Sequence, residues 1–211
     1  MDRDTDDRLW RRHLDGDAAA WLELVRRHHG AVRRFFVNKA SEACDDLTQT
    51  TLARVQVSRT PFEGRATLRA FILGFARNVL REYIRTAKRD AALDLDDVTA
   101  EALQPSPSSL LGHRAQQRLV LAALRQLSLA HQVVLELFYW EDLTDVEIAD
   151  VLEISHNTVR SRITRARDRL REVLAAMATQ DPLAAESISA DAFERWARDV
   201  REQARVEDDR A

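Results

Sequence analysis

The chain has 211 residues, with 32 Lys or Arg against 35 Asp or Glu and a net charge of −3. That length allows one or two small domains, and the scarcity of glycine (5) and proline (4), with no strand-like alternating runs, argues for an all-α protein. A single cysteine, Cys44, excludes a disulfide scaffold, and the absence of a long apolar run or hydrophobic leader excludes a membrane-spanning or secreted reading, leaving the cytoplasm as the expected compartment.

Residues 1–8 are polar and expected to fray. A helical pattern starts at Leu9 with Trp10, His13 and Leu14 and breaks at Asp15-Gly16-Asp17. Asp17 is placed to cap the next helix, which carries Ala20, Trp21, Leu24, Val25, Val32, Phe35 and Phe36. A third helix is expected to be capped by Ser41 or Asp45, with Leu47, Thr51 or Leu52, and Val55 inward and Asp45, Asp46 and Gln49 outward or at its start. Cys44 and the His28-His29 pair lack a second ligand pair at metal-binding spacing, so no metal or cofactor is expected.

Pro61 precedes a long helix whose stripe is Leu68, Phe71, Ile72, Phe75, Val79, Leu80 and Tyr83, with Arg77, Arg81, Arg85 and Lys88 recurring on the other side. A cationic ladder beside aromatic side chains suits single-stranded DNA, because cations track phosphates and aromatic faces receive unstacked bases. Residues 91–112 contain no Lys or Arg and include Asp94, Asp96, Asp97, Glu101 and the run Pro-Ser-Pro-Ser-Ser. That composition reads as a flexible acidic linker.

Helices resume from His113, with stripes at Leu119, Ala122, Ala123 and Leu127 and at Val133, Val134, Leu137 and Phe138. Thr144 and Glu147 have the spacing of a capping box for a short helix. Ser155 offers a second N-cap. The helix after it places Val159, Ile163, Ala166, Leu170, Val173 and Met177 on one narrow stripe. Opposite that stripe lie Asn157, Ser161, Thr164 and Arg165, flanked by Arg160 and Arg162. A short capped helix, a tight turn and a longer helix with outward cations is the layout of a DNA-reading helix-turn-helix, in which Arg reads guanine, Asn reads adenine and flanking Arg residues neutralise phosphates. Beyond it, residues 178–211 form an extension. Ser189 is a good cap for an amphipathic helix bearing Phe193, Trp196, Ala197, Val200 and Ala204.

Four segments carry a family resemblance. EIADVLEISHNTVRSRITRARDRLRE resembles the promoter-binding region 4 of extracytoplasmic-function (ECF) sigma factors, with Glu153 at the usual turn glycine and Asn157 at the second glycine. DDLTQTTLARV is similar to the region 2 segment that docks on the clamp helices of the RNA polymerase β′ subunit, with Leu52 replacing an aromatic residue. FEGRATLRAFILGFARN resembles regions 2.3 and 2.4, with Phe71 in place of Trp. LRQLSLAHQVVLELFYWEDLTDVEIA continues the region 4 likeness, with Ser128 for Pro and Gln132 for Arg.

The resemblance implies a bacterial, non-enzymatic transcription initiation factor, and no catalytic constellation opposes it. It implies two small helical domains: region 2 over 8–90 and region 4 over 113–177, joined by the linker 91–112 and followed by the extension 178–211. It carries minus-thirty-five DNA binding to Ser155, His156, Asn157, Thr158, Arg160, Ser161, Arg162, Thr164 and Arg165. Minus-ten binding and melting fall to Arg65, Ala66, Thr67, Phe71, Arg77, Asn78, Arg81 and Arg85, and polymerase binding to Asp45, Asp46, Leu47, Gln49 and Leu52. The implied partners are core RNA polymerase, through its β′ clamp helices, and promoter DNA, both duplex and melted. The family leaves room for an anti-sigma factor. Two other classes compete: a helix-turn-helix regulator that never docks on polymerase, and a sigma-like decoy that titrates an anti-sigma factor.

Overall fold

The computed structural model describes residues 3–58, 66–104 and 115–180, together with Ala197, Arg198 and Glu202. Its helices are α1 (Arg3–Leu14), α2 (Ala18–Val37), α3 (Cys44–Val57), α4 (Leu68–Lys88), α5 (Ala100–Leu103), α6 (Ala115–Arg125), α7 (Leu129–Tyr139), α8 (Asp145–Leu152) and α9 (His156–Gln180). Among the described residues there is no strand, only an isolated antiparallel bridge between Thr99 and Ser128.

Helices α1 to α4 pack on one another as a bundle. The first helix starts at Arg3, well before Leu9, so residues 3–8 do not fray as the composition suggested. The reason is tertiary. Asp6 is buried, and its carboxylate accepts from Arg27 and pairs with His28 Nε2, both at 3.1 Å. Gly16 takes the positive φ of 95° that the break requires, and Asp17 then caps α2 by accepting from the N–H groups of Ala19 and Ala20. Helix α3 departs from expectation at its start. Its cap residue is Ala43 with no side-chain bond, while Ser41 donates instead to Gln104 Oε1 at 3.0 Å. Thr67 caps α4, whose buried side carries Ile72, Leu73, Ala76, Val79, Leu80 and Ile84. Phe71, Phe75 and Tyr83 are only partly covered. This buried side is broader than one stripe because α2, α3 and α8 all pack against the same helix.

Helix α7 is buried almost all round and forms the centre of the C-terminal half, as a helix with no polar face must. Ser128 caps it, taking over at the position where the resembling sequences carry Pro. The Thr144–Glu147 capping box forms with both reciprocal bonds. Glu153 closes α8 in the left-handed conformation (φ 54°), and the N–H of Thr158 donates to the Ser155 hydroxyl at 3.1 Å. Val159, Ile163, Ala166, Leu170 and Val173 are buried as the periodicity predicts, with Met177 packed at the edge.

Part of the stretch read as a flexible tether is folded. Leu95, Val98 and Ala100 are buried; the N–H groups of Leu129 and Ala130 donate to the carbonyls of Val98 (2.8 Å) and Leu95 (3.0 Å), and Thr99 caps α5. Three apolar side chains spaced among acids were enough to anchor the segment on the start of α7. The Pro-Ser run and Arg65 lie outside the described residues, as does the tail helix expected from Ser189 apart from Ala197, which is buried, Arg198 and Glu202.

Candidate nucleic-acid interface

The capped turn before α9 aims its first turns outward. Ser155, His156, Asn157, Arg160, Ser161, Thr164 and Arg165 are exposed, and Thr158 and Arg162 are half-buried. Arg165 folds along its own helix, donating to the Ser161 carbonyl (3.2 Å) and hydroxyl (3.1 Å), while Thr164 donates to the Arg160 carbonyl at 3.1 Å. Arg160 pairs with Asp145 at 2.6 Å and Arg162 with Asp96 at 3.2 Å. The remaining arginines of α9 are engaged elsewhere. The Arg167 guanidinium lies over the rings of Phe138 and Tyr139, at 5.4 and 5.2 Å, and Arg169 and Arg171 pair with Glu172 and Asp168. The helix therefore offers a compact cationic and amide-bearing patch at its N-terminal end, the geometry by which a recognition helix meets base edges.

The basic ladder of α4 is less open than its spacing suggested. Arg77 is buried rather than outward; it donates to Asn78 Oδ1 at 3.1 Å and pairs with Glu153 at 2.7 Å. Arg81 holds Asp94 with two bonds of 2.8 and 2.7 Å, Arg85 donates to the Leu93 carbonyl, and Lys88 to the Ala102 carbonyl. Asn78 is exposed, and with Arg54, Phe75, Arg81, Glu82 and Arg85 it lines a shallow pocket of about 300 Å³. Ala66 is buried, Thr67 is committed to the cap, and Phe71 sits edge-on to Trp10 and Phe75. Phe75, one turn beyond Phe71, is thus the ring beside the ladder, and its i, i+4 relation to Phe71 was the available signal.

On α3 the polar members Asp45, Asp46 and Gln49 are exposed together, whereas Leu47 and Leu52 lie in the core beneath them. Cys44 is buried, with its thiol on the Arg33 carbonyl, and burial pushes its pKa up; both facts oppose reactivity. Among the described residues no cluster of His, Cys, Asp and Glu has the makings of a metal site, and no helix is long and apolar enough to cross a membrane.

Sequence reasoning missed a set of contacts joining the two halves. The first half supplies cations and the second supplies acids: Lys39 pairs with Glu136 in the core, Arg34 and Arg69 both reach Glu141 (3.2 and 3.0 Å), and Arg77 reaches Glu153. Gln132, where the resembling sequences carry Arg, donates to Glu136 at 2.8 Å. The N–H of Thr67 donates to Glu147 Oε1 at 3.2 Å, and buried Arg125 donates to the carbonyls of Asn38, Ala100 and Gln104. Nothing local to any of these residues reveals its partner in the other half.

Residues 23–90 match the family Sigma-70 region 2, and residues 123–172 match Sigma-70, region 4. The chain is similar to the RNA polymerase sigma-E factor of Streptomyces coelicolor, with 30% identity over 164 residues covering 76% of this chain and 89% of that protein. It is also similar to the ECF RNA polymerase sigma factor SigL of Mycobacterium tuberculosis, with 29% identity over 169 residues covering 76% of this chain and 94% of the other. Among solved structures, the sigma factor RpoE in complex with the anti-sigma factor NepR from Bartonella quintana shares the fold, with a TM-score of 0.54 and 22% identity, covering 72% of this chain and 94% of that one.

Proposed function

We propose how this chain works from the premise that it belongs to the extracytoplasmic-function sigma factors of the sigma-70 family. It directs core RNA polymerase to specific promoters and takes part in opening them. The observation that carries the mechanism is the outward face of α9: Asn157, Ser161, Thr164 and Arg165 stand together at the N-terminal end of a helix held by the Ser155 cap. That face reads the minus-thirty-five element as duplex, with Arg160 and Arg162 on phosphates. Arg77, Asn78, Arg81 and Arg85 of α4, with Arg65, Ala66, Thr67 and Phe71, serve the melted minus-ten strand.

Asp45, Asp46 and Gln49 are the side chains that meet the β′ clamp helices, and Leu47 and Leu52 hold them outward from the core. Joining the two DNA contacts in one chain lets each be weak while the pair is strong. The work is done in the bacterial cytoplasm, without catalysis by the chain itself.

Run-off transcription with purified core polymerase tests this reading. The wild type should initiate from its promoter, and Asp46→Ala with Gln49→Ala should lose both the transcript and co-purification with core polymerase. A chain that binds promoter duplex but never captures polymerase is instead a conventional helix-turn-helix regulator. One that binds neither is a decoy.

A further inference from the structure

Five rings from three helices form one continuous row. Trp21 of α2 meets His13 of α1 with centroids 4.9 Å apart, and His13 meets Trp10 at 5.2 Å. Trp10 meets Phe71 of α4 at 5.6 Å, and Phe71 meets Phe75 at 5.2 Å. The row is anchored at one end and open at the other. Trp10 and Trp21 are buried, and His13 is held in place by its Nε2–H, which donates to the Gln56 carbonyl of α3 at 3.1 Å. Phe71 and Phe75 are only partly covered, and Phe75 ends the row in the pocket that Asn78, Arg81 and Arg85 also line.

Two observations single out Trp10. Its side chain is only 2% exposed, and its indole N–H is buried with no hydrogen-bond partner. Leucine or phenylalanine would fill most of this site without stranding a donor, so packing alone does not account for an indole here. The contacts it begins are also steep. The Trp10–Phe71 planes cross at 66° and the Phe71–Phe75 planes at 71°. Edge-to-face pairs of this kind favour a defined angle between rings as well as their proximity. The tilt of Phe75 therefore depends on Phe71, and that of Phe71 on Trp10. Phe71 stands where the resembling sequences carry Trp, and the bulk that the smaller ring lacks comes from α1 behind it.

We propose that Trp10 is a positioning residue for capture of the melted minus-ten strand: through Phe71 it fixes the ring of Phe75 at the angle on which an unstacked base lies. The proposal rests on the minus-ten reading of α4 and adds α1, a helix to which no DNA contact is assigned. Asn78, Arg81 and Arg85 surround the same pocket and supply the polar groups beside the stacked base. Every base has a π-face, so the row governs how firmly the strand is held and not which base is chosen.

The test uses the full chain assembled with core polymerase on fork templates whose minus-ten non-template strand is single-stranded. Trp10→Leu should weaken fork binding about tenfold, and Trp10→Phe by less. Replacing the minus-ten nucleotides one at a time by an abasic residue should weaken the wild type at the position that stacks on Phe75. At that position the wild type and Trp10→Leu should bind alike. Trp10→Leu combined with Phe71→Trp, which returns the bulk from the other side of the contact, should recover most of the loss. Leu9→Ala, at the neighbouring buried position of α1, should lower the melting temperature and leave fork binding unchanged. The positioning role is overturned if Trp10→Leu binds every fork as the wild type does, if its deficit persists undiminished at every abasic position, or if Leu9→Ala reproduces it. A wild type indifferent to every abasic substitution overturns the proposal together with the minus-ten assignment of α4. A wild type sensitive at one position, with Trp10→Leu showing the same profile, defeats the positioning role alone.

Discussion

Glu153, the last residue of the α8 turn, reaches from a left-handed backbone (φ 54°) to the Arg77 guanidinium of α4 at 2.7 Å. The two are 76 positions apart and belong to opposite halves of the chain. Left-handed geometry in a non-glycine residue costs about 1–2 kcal/mol, and an ion pair with one exposed partner returns only about 0.2–1 kcal/mol. Glu153→Gly should therefore raise global stability, by about 1 kcal/mol, even as it removes a bond between the halves. Urea denaturation checks the sign, and a net loss would mean the pair contributes more than its partly exposed position suggests.

The buried Lys39–Glu136 pair should behave in the opposite way. Lys39→Met leaves Glu136 without its cation and should cost about 3–5 kcal/mol, whereas Lys39→Met with Glu136→Leu should come close to the wild type or exceed it. Burial already pushes the Glu136 carboxyl above its ordinary range despite Lys39 and Gln132. The single variant's deficit should therefore shrink as pH falls and the carboxyl takes up a proton. Chemical denaturation at two pH values measures both effects.

Acid should loosen the junction. Burial raises the Glu147 carboxyl, but the N–H and hydroxyl of Thr144 and the N–H of Thr67 outweigh it and leave the pKa below the usual carboxylate value. For Asp94 burial also raises, and the Leu95 N–H with Arg81 and Arg77 lowers by more. A carboxylate with a depressed folded pKa contributes stability that is complete above its unfolded value, about 4, and is lost as pH falls through the folded one. The melting midpoint should drop as pH falls below about 4. Glu147→Gln, which cannot titrate, should flatten that drop.

If α9 reads DNA as proposed, Arg165 must leave Ser161 to reach a base. Arg165→Ala should cost about 1–3 kcal/mol of promoter binding and relax preference at one base pair. Arg160→Ala should weaken all sequences alike and reduce the salt slope by about one. Arg167→Ala should leave DNA affinity nearly unchanged but lower stability, because its guanidinium lies on Phe138 and Tyr139. Competition binding across salt concentrations separates the three.

By itself the sequence determined what is local. The caps at Asp17, Thr144 and Ser155, the buried stripe of α9 and the outward set Asn157, Ser161, Thr164 and Arg165 all follow from spacings of a few residues. Helix periodicity fixes these whatever the chain packs against. Local spacing failed where a helix has more than one neighbour. Arg77 turned inward because α8 packs on the side of α4 that looked free, and residues 3–8 became helical because Asp6 found Arg27 and His28. Only the tertiary structure decided which cation meets which acid. Lys39 and Glu136 are separated by 97 positions and Arg34 and Glu141 by 107. A charge carries no mark of its partner until folding brings the two into one low-dielectric place, where an ordinary surface residue becomes a specific contact.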